Sequence, residues 1–467
     1  MKKIVRRALG VIASGALAST ALGAELIVPS ETYPDPGTAV ALAANGDTVT
    51  LLASGSPYVV SPPPRIAGKA ITLRGSTGDP SDVVIRGPFN NNALEIQSGA
   101  GGTVVKDLTF ELGPTPINPV VFASGAGLVT IENCLFRGDP GISGGTVGVY
   151  ASVTTLHIFD TRFEDLIASG PEADGIAVSV FVGDLIAKNC QFINNRIHPS
   201  LTPSNGAFGG AVYVLGGDAQ LTRCHFESNR GGWGGGVAVN NGSATIDACS
   251  FVNNEAHHGP GVYAGDAAFA VIRNSLFAKN HSTTNDGAIF TNTGAFIANS
   301  TFADNVADNS YIIGGSPPPG SVTIDNSIIW GNSMNTNIIP APMMAVMHNN
   351  IIQQAYTGGA GSFDNQIVDP MFVDALGGDY RLAPGSPAID AGNTSLGLGS
   401  YVDFDGNPRA ADDPNTTDTG LSYDGPVIDV GCFEVQPPAC PIDTNGDNMI
   451  DLDDLQNLLF SFGASCP

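Results

Sequence analysis

The amino-acid sequence predicts an all-β right-handed parallel β-helix, a solenoid followed by a small α-helical calcium-binding segment. Three observations carry that expectation: an apolar anchor with a fixed asparagine that recurs at a near-constant interval, a small side chain at a fixed offset from it, and no room for a helix in any unit. Phe-x-x-Asn occurs as Phe192/Asn195, Phe226/Asn229, Phe251/Asn254, Phe277/Asn280 and Phe302/Asn305, and Ile329/Asn332 repeats it with Ile for Phe. Successive asparagines lie 34, 25, 26, 25 and 27 positions apart. A period near 26 marks a repeat architecture.

Each unit can be justified element by element. Two positions before the anchor stands Cys190, Cys224, Cys249, Ser275, Ser300 or Ser327. After each polar loop comes glycine with an apolar run, as in Gly210-Ala211-Val212-Tyr213-Val214, Gly236-Val237-Ala238-Val239, Gly261-Val262-Tyr263 and Gly287-Ala288-Ile289-Phe290. Short runs of Val, Ile and Phe with period-2 alternation, divided by Gly and Asn, read as strands and turns. One such unit cannot bury its own apolar face. Stacked units can, with like residues superposed about 4.8 Å apart. The anchors then form an aromatic stack, and the asparagines form a ladder of amides that satisfies buried turns. Propeller blades are longer, and sandwiches do not hold one residue type at one phase.

Earlier anchors Phe110, Phe136 and Phe163 extend the series, but Gly113, Asp139 and Leu166 replace asparagine three residues on. Strands begin at Thr48 to Leu52 and continue through Ile71 to Gly75 and Val83 to Gly87. Ten to twelve coils are expected. Asp35 to Ala44, with Val40, Leu42 and Ala43 as its apolar row, reads as a short helix over the open first coil, where bare strand edges would invite aggregation.

The rhythm Asn189-Cys190-Gln191-Phe192 followed by Gly-Gly-Ala-Val-Tyr resembles the right-handed parallel β-helix repeat proteins of the pectin-lyase-like superfamily. The resemblance covers about residues 30 to 355. It implies the fold; that fold hosts lyases, hydrolases, adhesins and proteins without activity, so it does not imply one function.

Composition sets further bounds. The chain has 467 residues, 42% hydrophobic and 13% charged, with glycine about an eighth, a turn-rich globular balance. The formal charge is −25, from 19 basic and 44 acidic residues. Such a surface repels nucleic acid and anionic lipid and favours divalent cations. Residues 1–24 join basic Lys2, Lys3, Arg6 and Arg7 to an apolar stretch and small residues, the pattern of a secretory signal peptide cleaved near Gly23 to Ala24. Without that leader the balance is 15 against 44, or −29. No later run is long enough to span a membrane, so a secreted, extracellular or cell-surface protein is expected.

Seven cysteines are present. Cys134, Cys190, Cys224 and Cys249 share the small-residue phase and are expected as buried stacked thiols, because stacked side chains run parallel rather than toward each other. Cys440 and Cys466 bracket the last segment and read as a disulfide. Cys432 is left over.

The expected organisation is the leader at 1–24, the β-helix at 25–360, a further module at 361–435, and a calcium segment at 436–467. The series Val368-Asp369-Pro370-Met371-Phe372-Val373-Asp374, Gly385-Ser386-Pro387-Ala388-Ile389-Asp390-Ala391-Gly392, Asp403-Phe404-Asp405-Gly406-Asn407-Pro408-Arg409 and Ile428-Asp429-Val430-Gly431-Cys432-Phe433-Glu434 resembles the choice-of-anchor module that follows bacterial β-helices. That resemblance implies a β-helix cap beside an attachment tail, not catalysis. Arg381 and Arg409 among many Asp residues read as structural ion pairs.

After the linker Gln436-Pro437-Pro438, the residues Asp443, Asn445, Asp447, Met449 (through its carbonyl), Asp451 and Asp454 stand at positions 1, 3, 5, 7, 9 and 12 of a loop. Ca2+ takes six to eight oxygens at about 2.3–2.6 Å, and this spacing wraps one loop around it. Asn448 tolerates the turn usually given to glycine. Leu452, Leu455, Leu458, Leu459 and Phe462 then fall on one helical face. Asp at position 12 resembles the dockerin repeat, which implies structural calcium and a cohesin-like or other anchoring partner; a dockerin has two repeats and this chain has one.

The loops after the asparagine ladder form the best candidate ligand face: His198, Arg230, Trp233, His257, His258, His281 and Asp286. Aligned loops of this composition suit stacking and hydrogen bonding to a polysaccharide. The catalytic sets of similar hydrolases (Asn-x-Asp, Asp-Asp and Gly-His-Gly on consecutive coils) and of similar lyases (clustered Asp with an Arg or Lys base) are not found on the ladder. Asp174 and Asp286 share a phase, but four coils put them near 19 Å apart, beyond the roughly 5–9.5 Å of a glycosidase pair. The expectation is a non-catalytic, polysaccharide-binding or adhesive β-helix attached through its tail. The alternative is a polysaccharide lyase or glycoside hydrolase of this fold.

Overall fold

The computed structural model describes residues 23–87, 91–111, 119–138, 147–168, 174–198, 207–284, 286–307, 311–315, 320–333, 338–339, 344–356, 361–396, 401–423, 425–437 and 455–456. Its strands wind into a right-handed β-helix. Three parallel sheets form its walls, and their residue pairs hold the register expected from the repeat.

The first sheet holds 21 described strands, because most coils contribute two end to end, as with Val212–Leu215 and Ala219–Thr222. The second holds 12, from Tyr58–Val59 to Ile351–Ile352. The third wall is built from two-residue strands such as Glu255–Ala256, His281–Ser282 and Val306–Ala307.

Inside, Phe110, Phe136, Phe163, Phe192, Phe226, Phe251, Phe277 and Phe302 pair directly from coil to coil, with Ile329 next. Their rings stack at 4.7–5.1 Å between centroids and all are fully buried. Offset aromatic stacking at this separation adds to the burial itself.

The asparagine ladder is continuous. Each Nδ2 donates back to the phenylalanine carbonyl of the preceding coil and forward to the next Oδ1: Asn229 to Phe192 O at 2.8 Å and to Asn254 Oδ1 at 3.0 Å, Asn254 to Phe226 O at 2.9 Å and to Asn280 Oδ1 at 3.0 Å. Asn195 begins the file and Asn332 extends it beyond Asn305. Leu166 stands at the foot, where its N–H donates to Asn195 Oδ1.

The small-residue column is equally regular. The N–H of Cys249, Ser275, Ser300 and Ser327 donates to Ser275 Oγ, Ser300 Oγ, Ser327 Oγ and Asn350 Oδ1 in turn. Cys134, Cys190, Cys224 and Cys249 are free, buried thiols, as is Cys432.

Both columns sit at bends made by left-handed backbone. The residue before each small side chain has φ between +46° and +56°, from Asn133 through Asn189, Arg223 and Ala248 to Asp364, and Asn194, Ser228, Asn253, Lys279 and Asp304 precede the ladder in the same conformation. Asn and Asp enter that region at least cost among residues with a Cβ, which accounts for their abundance here.

The short helix forms at Pro36–Leu42, capped by Asp35, whose carboxylate accepts from Thr38 N at 2.8 Å. Ala39, Val40 and Ala43 are buried against the first coils, but Leu42, expected on that face, is 64% exposed. With only two turns the helix presents Ala39, Val40 and Ala43 to the coil, and Leu42 falls on the opposite side.

Residues 361–366 add the last pairing to the rod, Phe363 to His348 and Gln366 to Ile351. From there the chain turns onto the outside of the second sheet. Leu382, Ala388, Ile389, Ala391 and Val430 pack on Ile328 and Ile351, while Tyr380, Cys432 and Phe433 pack on Leu276, Ala278 and Ala303. Asn349 Nδ2 donates to Ala391 O at 2.7 Å and Asn326 Nδ2 to Asn393 O at 2.9 Å. The module therefore lies along the flank of the late coils. Arg409 is buried in it and donates to Glu434 Oε2 at 3.2 Å and to Gly431 O at 2.8 Å, the structural pairing expected of that residue. Arg381 pairs with Asp405 and Asp379 at the surface. The expected calcium loop, Asp443 to Asp454, and the expected disulfide partners Cys440 and Cys466 lie outside the described residues, as does most of the leader.

Candidate ligand-binding face

Of the seven residues singled out on the ladder loops, the structure gathers three. The short third wall ends each coil in a loop that folds back over the outer face of the first sheet. Gly175, Gly209, Gly234 and Gly259 make that reversal with φ between +55° and +77°, and a Cβ on any of them would run into the carbonyl of Val178, Val212, Val237 or Val262. The loops then set Phe208, Trp233 and His258 in one file, each paired with the next. Trp233 and His258 stack at 4.3 Å, and His257 meets His258 edge-on at 4.8 Å.

Arg230 and His281 belong to a neighbouring file, Arg196–Arg230–Glu255–His281, on the third wall. Arg230 Nε donates to Glu255 Oε1 at 2.9 Å, an ion pair half open to solvent. His198 lies further down, with its N–H on Ala168 O. Asp286 pairs through its backbone with Tyr311, and its side chain lies outside the described residues. The row is thus two parallel files.

The larger feature is aromatic. On the outside of the first sheet, Phe122, Tyr150, Ser179, Tyr213, Ala238, Tyr263 and Phe290 stand in register on successive coils. Phe122 stacks on Tyr150 at 5.6 Å and Tyr150 on Phe181 at 5.3 Å; Phe181 meets Tyr213 edge-on at 5.7 Å. At Ala238 the small side chain leaves space, and Phe208 and Trp233 fill it from the loops: Phe208 stacks on Tyr213 at 5.3 Å, and Trp233 meets Tyr263 edge-on at 5.1 Å. Tyr263 stacks on Phe290 at 5.0 Å. Tyr213, Tyr263 and Phe290 are buried beneath this layer, whereas Phe122, Tyr150, Phe181, Phe208 and Trp233 remain partly exposed. Burial raises the Tyr213 hydroxyl above its ordinary range, with Asp174 and Asp266 adding to it.

The result is a ribbon of rings along the rod, edged by Arg230, Glu255, His257 and His281. Sequence reading missed Phe122, Tyr150, Phe181, Phe208, Tyr213, Tyr263, Phe290 and Glu255. A signal existed in the repeat phase of Phe122, Tyr150, Tyr213, Tyr263 and Phe290, but Ser179 and Ala238 interrupt it. Nearby carboxylates serve as turn acceptors: Asp174 Oδ1 for Phe208 N at 2.9 Å, Asp184 Oδ1 for Asp218 N at 3.0 Å, and Asp218 Oδ1 for Ser243 N at 2.9 Å. Among the described residues, the group of acids with metal-ligand spacing is elsewhere, at Asp390, Asp412 and Asp418. No described helix is long and apolar enough to cross a membrane.

The comparison with protein families agrees on the architecture. The model of the family described as a right handed beta helix region matches residues 117–333. No curated protein matches the chain. Similar solved structures include a PL6 alginate lyase in complex with a trisaccharide (12% identity over 72% of this chain and 80% of that one, TM-score 0.42). The catalytic domain of a GH87 α-1,3-glucanase in complex with nigerose is similar at 11% identity over 73% of this chain and 66% of that one, TM-score 0.44. The tailspike protein gp49 of Acinetobacter baumannii bacteriophage Fri1, a capsular polysaccharide depolymerase, is similar at 12% identity over 77% and 63%, TM-score 0.32.

Proposed function

We propose that this protein is a non-catalytic, polysaccharide-binding β-helix that works outside the cell. The aromatic ribbon carries the reading. A sugar ring offers apolar C–H faces between its hydroxyls, so a row of half-exposed rings repeating with the coils, about 4.8 Å each, suits an extended glycan better than a compact ligand. Arg230, Glu255, His257 and His281 along its edge can take the hydroxyls, and buried Tyr213, Tyr263 and Phe290 hold the outer rings rigid. The formal charge of −25 favours neutral chains over polyuronates at low salt. The basic and apolar leader supports export. The loop Asp443 to Asp454 supports a calcium-organised tail through which the rod is attached, and a cohesin-like partner is one form that attachment can take.

The test uses a Trp330→Phe variant, which leaves Trp233 as the sole tryptophan of the two in the chain. Titration with neutral and uronate polysaccharides should change Trp233 fluorescence, and Tyr150→Ala or Phe181→Ala should weaken the response without unfolding the rod. Release of reducing ends or unsaturated uronates from any of these glycans would replace this reading with the lyase or hydrolase one. A flat response across the panel would end both.

A further inference from the structure

We propose that the flanking module holds a divalent cation of calcium size between Asp390, Asp412 and Asp418, a site separate from the loop at Asp443 to Asp454.

Two independent observations meet at Asp390. The first is its isolation. Asp390 is fully buried, and neither carboxylate oxygen has a hydrogen-bond partner. Its backbone is fully used: the N–H donates to Asp429 Oδ1 at 2.8 Å, and the carbonyl accepts from Thr419 N at 2.9 Å and Gly420 N at 3.0 Å. A buried ionised carboxylate needs a hydrogen bond, a cation or a metal. The buried guanidinium of the module, Arg409, directs Nη1 and Nη2 to Glu434, Asp429 O and Gly431 O, and its Nε is unpaired rather than on Asp390.

The second is the ring of acids that the loop 411–420 brings over it. One oxygen each of Asp390, Asp412 and Asp418 lies within 4.8 Å of the others. Oxygens that each sit about 2.3–2.6 Å from one ion are at most about 5 Å apart, so a single cation fits between them. Asp413 is not a ligand here but shapes the loop: its Oδ1 accepts from Asn415 N at 3.1 Å and its Oδ2 from Thr416 Oγ1 at 2.8 Å. That leaves Asp412 and Asp418 as the exposed partners of one buried carboxylate. An all-oxygen set of three carboxylates selects a hard cation, and a loop with a solvent-facing side leaves water to complete the coordination that Ca2+ prefers.

The test silences the tail loop first. The full chain carrying Asp443→Ala and Asp447→Ala is dialysed to equilibrium against calcium chloride, and bound calcium is counted by mass spectrometry of the metal. One ion per chain is expected. Asp412→Asn and Asp418→Asn, both at exposed side chains, should each weaken binding at least about tenfold with unchanged circular dichroism, and should abolish the calcium-dependent rise in melting temperature. Magnesium should compete poorly. No calcium on the tail-silenced chain, equal calcium on the two Asn variants, or magnesium binding as tightly as calcium would overturn the assignment.

Discussion

Replacing Asn254 with alanine should loosen the middle of the rod by about 1–3 kcal/mol, and the structure shows which groups supply that cost. Asn254 is fully buried. Its Nδ2 donates to Phe226 O and Asn280 Oδ1, and its Oδ1 accepts from Asn229 N and Asn229 Nδ2, each at 3.0 Å. In Asn254→Ala, Asn280 Oδ1 keeps the Asn254 N–H and Asn229 Nδ2 keeps Phe192 O. The Asn229 N–H loses its partner in a dry interior, while the Phe226 carbonyl, paired in the ladder between Phe226 and Phe251, loses only its second donor. A buried polar group left without its partner costs about 1–3 kcal/mol, the range above. Asn254→Asp should be worse: it restores the acceptor for Asn229 but turns an oxygen toward Phe226 O and Asn280 Oδ1, and buries a charge. Native-state hydrogen exchange is the suitable assay, because solenoid stability is a sum of neighbouring units. The Asn229, Asn254 and Asn280 amides should exchange faster, and coils near Val28 should not. An alanine variant within about 0.5 kcal/mol of the parent, or an aspartate variant more stable than alanine, would refute the argument that the amides carry the stack.

Two further outcomes follow from the buried ionisable groups. Burial pushes Asp429 up to about 7, and pushes Glu434 up to about 9 with the charge of Asp429 adding to it, despite Arg409 beside both. Acids whose folded values are raised hold their protons in the folded state, so the module should be firmest below the ordinary carboxylate range and should loosen as pH rises from about 5 to 9; proteolysis between residues 361 and 437 across that range reads it. Burial also pushes the Cys134 and Cys432 thiols up to about 12, and Cys190, beside the Cys224 thiol, and Cys224 lie well above the usual value. None of these should react with a thiol reagent in the native protein, and denaturation without reductant should expose five thiols if Cys440 and Cys466 are bridged and seven if they are not.

The rod was legible because stacking writes the same requirement at the same phase. A phenylalanine facing a phenylalanine, and an amide that must meet both a carbonyl and another amide, leave one residue type per column. The bends tolerate more: Arg223, Ala248, Ser228 and Lys279 adopt the left-handed backbone where Asn serves elsewhere, so those columns are faint in the sequence. Leu42 misled because a two-turn helix has one narrow buried stripe. At the ligand face, His257, His258 and Trp233 were found as polar and aromatic loop residues, but Tyr150 and Tyr263 read as ordinary strand residues. Alternation shows that two faces differ; it does not show which outer face a loop will fold over. Asp390 was hidden for a different reason. Its partners Asp412 and Asp418 come from a distant loop, and only the fold reveals that its buried oxygens face them.

The position of the flanking module bears on where a ligand can lie. Ile328, Ile351, Leu276 and Ala303 point outward from the second sheet, and in a bare β-helix they would form an exposed apolar stripe. The module buries that stripe and ties itself to the turn asparagines Asn326 and Asn349. Trp330 packs into that contact, while Trp233 lies on the opposite ribbon. Over these late coils the second sheet is thereby closed to a polymer, and the first sheet with the third-wall loops keeps its rings partly open. A cation between Asp390, Asp412 and Asp418 would stiffen the module, and none of the ring residues is among its ligands. Glycan binding should therefore survive loss of that cation, and a variant that loses both together would mean that the module and the ribbon are one site.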